Sequence, residues 1–445
     1  MSLSVKTVVC FAAMAAALFA VGVFQSWTLA LAILNLSLIS AIMALGVNMQ
    51  WGYAGLFNVG VMGFAALGGI AAVLVSMPPV PGAWAAGSWN LLFAALALLG
   101  TIAAAIAVRR MLPKGPHKGR RTAATILVVA VGYFVIRYFG DQATDAIEGY
   151  DAAATGYLGG LGLPILLAWI VGALFAAGAA WLIGKVALGL RSDYLAIATL
   201  GISEIVIALL KNEAWLTRGV KNVSGLPRPA PYEIDLQREA WFVDLAADLG
   251  MRATTLSSVA VSLVYTALFA TVLIVLVVLA ERALNSPWGR MMRAIRDNRD
   301  AAAAMGKDVT RRHLQIFVIG SAVVGLAGAM LVTLDGQFTP GTYNPLRFTF
   351  LIWVMVILGG SGNNLGAVLG AFVIWFVWVQ AEPAGLWLMN TLTAGMEQGD
   401  ALRRHLLDSA PHLRLFLMGV ILLTVLRFSP RGILPEKTGV ARPPV

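Results

Sequence analysis

The chain is short of the residues that soluble chemistry uses most. It has a single cysteine, Cys10, in 445 residues, which excludes an intramolecular disulfide framework and any cysteine-based metal cluster. Only 12% of its residues are charged, about half of the ~25% found in an ordinary soluble domain. The four histidines do not assemble a site. His117 lies in a basic segment and His313 begins an apolar run, while His405 and His412 flank Asp408 at a spacing that suits one helical face. With no further ligand evident near that trio, a solvated surface is the simpler reading than a metal centre. No Gly-x-x-x-x-Gly-Lys-Ser/Thr sequence occurs: Gly306-Lys307 is followed by Asp308 and lacks the upstream glycine that lets backbone amides face a phosphate. ATP hydrolysis, if the function needs it, must come from another subunit. Ionisable residues inside apolar stretches are scarce too, and Glu204 is the one placed near the middle of a span.

What is present is apolar surface. The composition is 59% hydrophobic and the mean hydropathy is +0.81. Candidate spans occupy residues 8–24, 27–47, 53–76, 90–108, 122–139, 163–185, 194–210, 259–280, 313–334, 348–358, 365–380 and 413–426. Lipid cannot satisfy bare backbone groups, so such stretches must be helices. Without a period-2 alternation they do not read as barrel strands. The expected fold is all-α, a polytopic transmembrane bundle of roughly 10–12 membrane segments, since several stretches fall short of the ~20 residues of a full crossing. Residues 348–358 and 365–380 read as half-helices joined by the turn Gly359-Gly360-Ser361-Gly362. The first stretch has the look of a secretory signal but no clear small-residue cleavage site, and another span follows at once; a retained first helix is expected. No soluble catalytic domain is left over, so residues 1–445 read as one membrane domain.

The net charge of +10 is not arranged for nucleic acid. It sits in short segments between apolar runs, where positive charge stays on the cytoplasmic side. One cluster is Arg109, Arg110, Lys114, Lys118, Arg120 and Arg121. A second, in residues 282–312, is Arg282, Arg290, Arg293, Arg296, Arg299, Lys307, Arg311 and Arg312. The tail, 427–445, adds Arg427, Arg431 and Lys437. Asp141, Asp145, Glu148 and Asp151 form an acidic loop that suits the outside. Twelve alternating crossings satisfy all of these and put both termini in the cytoplasm. Residues 211–258 then form an external loop, with a proline-rich turn at Leu226–Pro231 and an amphipathic stretch at 239–249. A second external segment, 381–412, has room for a short surface helix.

Several polar and small residues inside the spans bear on a transport path. Glu204 has two readings, a group that lines or gates the path and a neutral packing contact; either way burial of its charge at ~2.5–3.5 kcal/mol predicts that it faces the bundle interior. The groups Gly52-x-x-Gly55 and Gly359-Gly360-x-Gly362 suit close helix approach or a broken helix that presents backbone groups to a substrate. Asn48, Gln50 and Asn58 are candidate path liners, and Asn35 is read as an interhelical hydrogen-bonding residue. These assignments give a candidate path of Gly52, Gly55, Asn58, Glu204, Gly359, Gly360 and Gly362.

In the basic segment, Ser286-Pro287-Trp288-Gly289-Arg290 starts a helix, with Pro287 at a favourable first position. Met291, Ala294, Ile295 and Met305 make an interrupted apolar face, and Gly306 offers a chain reversal before the next span. A short amphipathic helix between two membrane helices lies against headgroups or against another protein. Here the chain resembles a known family. Asp300-Ala301-Ala302-Ala303-Ala304-Met305-Gly306 has the spacing of the Glu-Ala-Ala-x-x-x-Gly loop of ABC importer permeases. Further segments resemble branched-chain amino acid permeases of the LivM type: Trp51-Gly52-Tyr53-Ala54-Gly55-Leu56, Leu190-Arg191-Ser192-Asp193-Tyr194-Leu195, Leu200-Gly201-Ile202-Ser203-Glu204-Ile205, Asn222-Val223-Ser224-Gly225-Leu226-Pro227, Leu358-Gly359-Gly360-Ser361-Gly362 and Ser429-Pro430-Arg431-Gly432-Ile433-Leu434. The order of these segments carries the likeness more than any one of them. The chain departs from the family at Phe57-Asn58-Val59-Gly60-Val61 and in the insertion-like stretch 78–121.

The resemblance implies a type II importer permease fold and transport of branched-chain amino acids, or of urea, short amides or other amino acids. It implies no covalent chemistry and no cofactor bound by this chain. It also implies a second, homologous permease, two ABC ATPase subunits docking at residues 291–306, and an external substrate-binding protein. Arg293, Arg296, Asp300, Ala301, Ala302 and Gly306 would then serve ATPase coupling. An ion-coupled secondary transporter is the rival from another class, and it would want several mid-membrane carboxylates.

Overall fold

In a computed structural model of the chain, residues 4–112, 118–151, 156–397 and 400–436 are described here. Lys114, His117 and Lys437, counted above among the basic segments and the histidines, lie outside them. The helices in chain order are α1 (Val5–Phe24), α2 (Trp27–Ala54), α3 (Val61–Ser76), α4 (Pro81–Met111), α5 (Lys118–Tyr150), α6 (Ile165–Ala187), α7 (Ser192–Asn212), α8 (Ala214–Thr217), α9 (Glu233–Arg238), α10 (Ala240–Asp248), α11 (Ala253–Asn285), α12 (Pro287–Asp297), α13 (Arg299–Ala304), α14 (Val309–Asp335), α15 (Pro345–Gly359), α16 (Asn364–Leu392), α17 (Ala401–Ser409) and α18 (Leu413–Phe428). The strands β1 (Val223–Ser224) and β2 (Gln337–Phe338) pair antiparallel, Val223 opposite Phe338. Among the described residues ten helices are long and apolar enough to cross a membrane, with α17 and α18 reckoned as one. The bundle is thus the polytopic helical architecture expected.

Local chemistry sets the helix ends. Ser26 caps α2 through its side chain at Thr28 N, and Gly55 closes the same helix at φ +68°. Asn298, Asp308, Asn344 and Asn363 cap α13, α14, α15 and α16 in the same way, each satisfying an amide that the helix itself leaves free.

The centre of the bundle is α2, α3, α14, α15 and α16, with α6 and α11 packed on its flanks. Small residues let these backbones approach. A Cβ on Gly68 of α3 would collide with the Gly325 backbone of α14, one on Gly328 with the Ala65 backbone, and one on Gly46 of α2 with the Gly320 carbonyl. Side chains that small are what helix contact in lipid selects, because lipid tails are as apolar as leucine and offer no drive for burying it. By contrast α4 and α5 pack chiefly against each other at the periphery.

Three boundaries differ from the sequence expectation. Helix α2 continues to Ala54, so Gly52 and Gly55 finish a helix rather than open the next one. The two half-helices meet at the glycine turn as expected, but only α15, with 15 residues, is short; α16 has 29. At ~1.5 Å per residue α15 reaches about 22 Å, less than the ~30 Å hydrocarbon core. The acidic residues Asp141, Asp145 and Glu148 are the last turns of α5 rather than a loop, since nothing in 140–150 breaks the helical hydrogen bonding.

The segment expected to be an external loop folds over one end of the bundle. Gly225 and Leu226 donate backbone hydrogen bonds to Gly336 O, 3.1 Å each, Leu226 is buried, and α10 buries Phe242 and Ala246. This cap sits at the C-terminal end of α14. The pair α12–α13 leads into its N-terminal end, about 40 Å away at 1.5 Å per residue.

Candidate functional site

Two of the residues singled out from sequence for a coupling loop, Arg293 and Arg296, meet the path candidates Gly52, Gly55 and the Gly359–Gly362 turn at one place, the α12 end of the bundle. Helix α12 begins as expected, with Pro287 in its first turn and Ser286 Oγ accepting from Gly289 N. It buries Met292 and Ile295 and turns Arg293 and Arg296 sideways. The Arg296 guanidinium donates to Gly52 O at the end of α2 and to Glu436 Oε2 at 2.9 Å. Arg293 Nη1 is 3.9 Å from Glu436 Oε1, and its Nη2 donates to Leu284 O at 3.2 Å. The Arg296 and Glu436 side chains are only 21% and 16% exposed, so this pair is screened less than a surface ion pair. Gly55 leaves room for the Arg296 stem, whose Cγ would lie 3.4 Å from an added Cβ.

Glu436 reaches the site because the tail is laid along the glycine turn. Ile433 N donates to Leu358 O at 2.8 Å and Leu434 N to Gly359 O at 2.9 Å, while Asn363 Nδ2 donates to Leu434 O at 3.1 Å. Gly360 adopts φ +116° and Gly362 φ +82°, conformations that side-chain-bearing residues rarely take. Behind the turn a buried amide network joins three helices. Gly362 N donates to Asn48 Oδ1 at 2.8 Å, Asn48 Nδ2 to Asn364 Oδ1 at 3.1 Å, and Asn364 Nδ2 to Glu281 Oε1 at 2.9 Å; the Tyr53 hydroxyl also donates to Asn364 Oδ1. Thus α2, α11, α16, the tail and α12 are tied together through side chains with little rotational freedom left.

This arrangement bears on the path residues. Gly52, Gly359 and Gly362 have their backbone groups engaged by Arg296, Leu434 and Asn48, not left open as in a broken helix at mid-depth. Asn58 is buried and donates to Gln50 Oε1 at 2.8 Å; Gln50 Nε2 in turn donates to Phe317 O at 2.9 Å and Ser321 Oγ at 3.0 Å. Asn35 makes the interhelical bonds expected of it, donating to Ser262 O and accepting from Thr266 Oγ1. Glu204 departs from expectation. It lies on the exposed face of α7, not toward the bundle interior; the faces that α7 buries carry Leu195, Thr199, Ser203 and Ile207 instead.

The outer surface of α13 and the turn after it is open. Asp300, Ala301 and Gly306 are exposed, Ala302 is buried against Ile295 and Val309, and Gly306 holds φ +74° with open space around it. Of the expected apolar face only Ile295 is fully buried, with Met292 beside it; Ala294 and Met305 point outward, and Met305 is 79% exposed. The break at Asn298, which turns α13 out of line with α12, accounts for the difference.

Sequence reading missed Glu436, Glu281, Asn363, Asn364 and Tyr53. Glu436 had one signal, an isolated carboxylate in an otherwise basic tail; the Asn363-Asn364 pair directly after the glycine turn was another.

With ten helices long and apolar enough to cross a membrane among its described residues, the chain is a multi-pass membrane protein, and its sequence puts it in the class of transport permeases. The chain is a member of the family described as "Branched-chain amino acid transport system / permease component", whose profile matches residues 29–151 and 147–426. It is similar to the high-affinity branched-chain amino acid transport system permease protein LivM of Escherichia coli (strain K12), 32% identical over 258 residues, which cover 56% of this chain and 57% of the relative. It is also similar to the probable branched-chain amino acid transport permease protein LivM of Methanocaldococcus jannaschii, 27% identical over 347 residues, 74% of this chain and 88% of the relative. The permease protein LivH of Salmonella typhimurium is 27% identical over 213 residues, 47% and 63% of the two chains. The chain therefore spans little more than half the length of the first of these relatives. No solved structure matches it significantly.

Proposed function

We propose that the chain is the membrane-spanning permease subunit of an ATP-driven importer of branched-chain amino acids, which moves substrate by alternating access in the cytoplasmic membrane of its cell. The observation that supports this most is the inner junction. Helix α12 is fixed to α2 and to the tail by Arg296, Arg293 and Glu436, while α13 and Met305 project outward with nothing upon them. A partner pressing on α13 would act on the ends of α2, α15 and α16 together, which is what coupling to a separate motor demands.

In this reading two ABC ATPase subunits hydrolyse the ATP, and Asp300, Ala301, Ala302 and Gly306 form their contact. The chain binds no cofactor and performs no covalent chemistry. The basic segments support a cytoplasmic position for α12–α13 and both termini, with the cap of residues 211–258 outside, where a substrate-binding protein would dock. Exposure of Glu204 supports a second permease subunit: a carboxylate turned to lipid at mid-span costs ~2.5–3.5 kcal/mol, and a sister subunit over that face of α7 would relieve it. The one mid-span carboxylate also speaks for this reading over ion-coupled secondary transport. Import of urea, short amides or other amino acids is the alternative within the family.

The test is uptake into proteoliposomes holding the assembled transporter, with leucine, valine and urea offered in turn, with and without ATP. ATP-dependent accumulation of leucine and valine is expected. Gly306→Leu should insert normally yet lower ATP-driven uptake, because a side chain at φ +74° costs about 1–2 kcal/mol and α13 must shift to relieve it. Full coupling in that variant, or uptake driven by an ion gradient alone, would refute the reading.

A further inference from the structure

A cavity of ≈ 170 Å³ lies between α2, α14 and α15 and reaches Asp335, at the end of α14 away from α13. Ile39 and Met43 of α2 and Phe348, Ile352 and Met355 of α15 make its walls apolar. Asp335, Tyr343 and Ser40 interrupt them.

Each of these three has unused capacity. Asp335 remains accessible, and among the described residues no lysine or arginine pairs with it. Tyr343 is 2% exposed, and its hydroxyl lies against Gly69 of α3 with no hydrogen-bond partner among the described residues. Ser40 Oγ accepts the Trp375 indole N–H, which leaves its own O–H free to donate. A single carboxylate and the Ser40 hydroxyl, in an otherwise apolar pocket, are complementary to a zwitterion with an apolar side chain. The size agrees, since an apolar cavity of about 150 Å³ in another protein takes up benzene.

We propose that this cavity is a transit site for the transported amino acid. The branched aliphatic side chain would sit against Ile39, Met43 and Ile352, the ammonium toward Asp335, and the carboxylate toward the Ser40 hydroxyl. The proposal rests on the importer reading above and adds the site to it.

The experiment uses the complete reconstituted transporter with its binding protein and offers radiolabelled leucine and valine together. Asp335→Asn should lower uptake of both by about thirtyfold, the scale of one hydrogen bond to a charged group. Ile352→Phe narrows the cavity and should raise the valine-to-leucine uptake ratio by about tenfold, the scale of one methylene in a closed pocket. That ratio does not depend on how much variant protein folds. Wild-type uptake of leucine with an unchanged ratio in Ile352→Phe overturns the cavity, even if Asp335→Asn is slow, because a structural carboxylate would give that result. A wild type that imports neither amino acid overturns the importer reading instead, and the site with it.

Discussion

Helices α2 and α4 are both long, both uncharged through their central turns and both rich in alanine and leucine. Yet 83% of the most apolar stretch of α2 is buried by protein, and 0% of that of α4. Hydrophobicity does not separate them. What separates them is the chemistry between the apolar residues. Helix α2 carries Asn35, Gly46, Asn48 and Gln50, each of which meets another helix at short range; α4 turns Trp89, Leu92, Leu96 and Leu99 outward. In lipid a leucine gains nothing by moving from tails to protein, whereas an amide gains a hydrogen bond and a glycine gains backbone contact. Membrane proteins therefore choose their interior by small and polar residues.

The comparison can be broken most severely at the glycines. Gly68→Leu, against the Gly325 backbone, should cost about 3 kcal/mol or more by overpacking and leave little protein extractable in folded form. Gly100→Leu on α4, which meets nothing within 4 Å, should change stability by less than ~0.5 kcal/mol. Melting of the purified chain in detergent measures both, and similar losses would contradict the division into interior and periphery. Next in size is the inner junction. Glu436→Gln removes the charge that holds Arg293 and Arg296 and should cost about 2 kcal/mol, as for a hydrogen-bonded charge. High salt should shrink the difference from wild type, and ATP-driven uptake should fall further than stability does. The smallest effect is expected at Glu204. With no neighbour to lose inside the bundle, Glu204→Gln should leave the melting temperature of the isolated chain unchanged while lowering uptake by the assembled transporter; unchanged uptake would assign that face to lipid.

Much of this could be read before the structure. The short α15 and the glycine turn after it, the capped start at Pro287, the reversal at Gly306 and the interhelical role of Asn35 all follow from local rules: proline and glycine fix backbone angles, and an amide in lipid must find a partner. Less legible was where separate segments meet. Gly52 and Gly359 were chosen as parts of a path because glycine permits broken helices, but their backbone groups are held by Arg296 and Leu434. Nothing near Gly52 in sequence announces a partner 244 residues away. Glu204 was placed inward on a general cost argument, and that argument cannot see which face of α7 the rest of the bundle leaves uncovered.

By itself the sequence determined the medium and the secondary structure: an apolar chain with its positive charge confined to short segments has no stable alternative to helices across a bilayer. The tertiary structure alone decided which helices form the interior, that Arg296 joins α12 to both α2 and Glu436, and that Asp335 and Tyr343 share a cavity with Ile352. The reason is range. Backbone satisfaction and charge placement act within a turn or a loop, while packing and ion pairing depend on distances between residues that only the folded chain brings together.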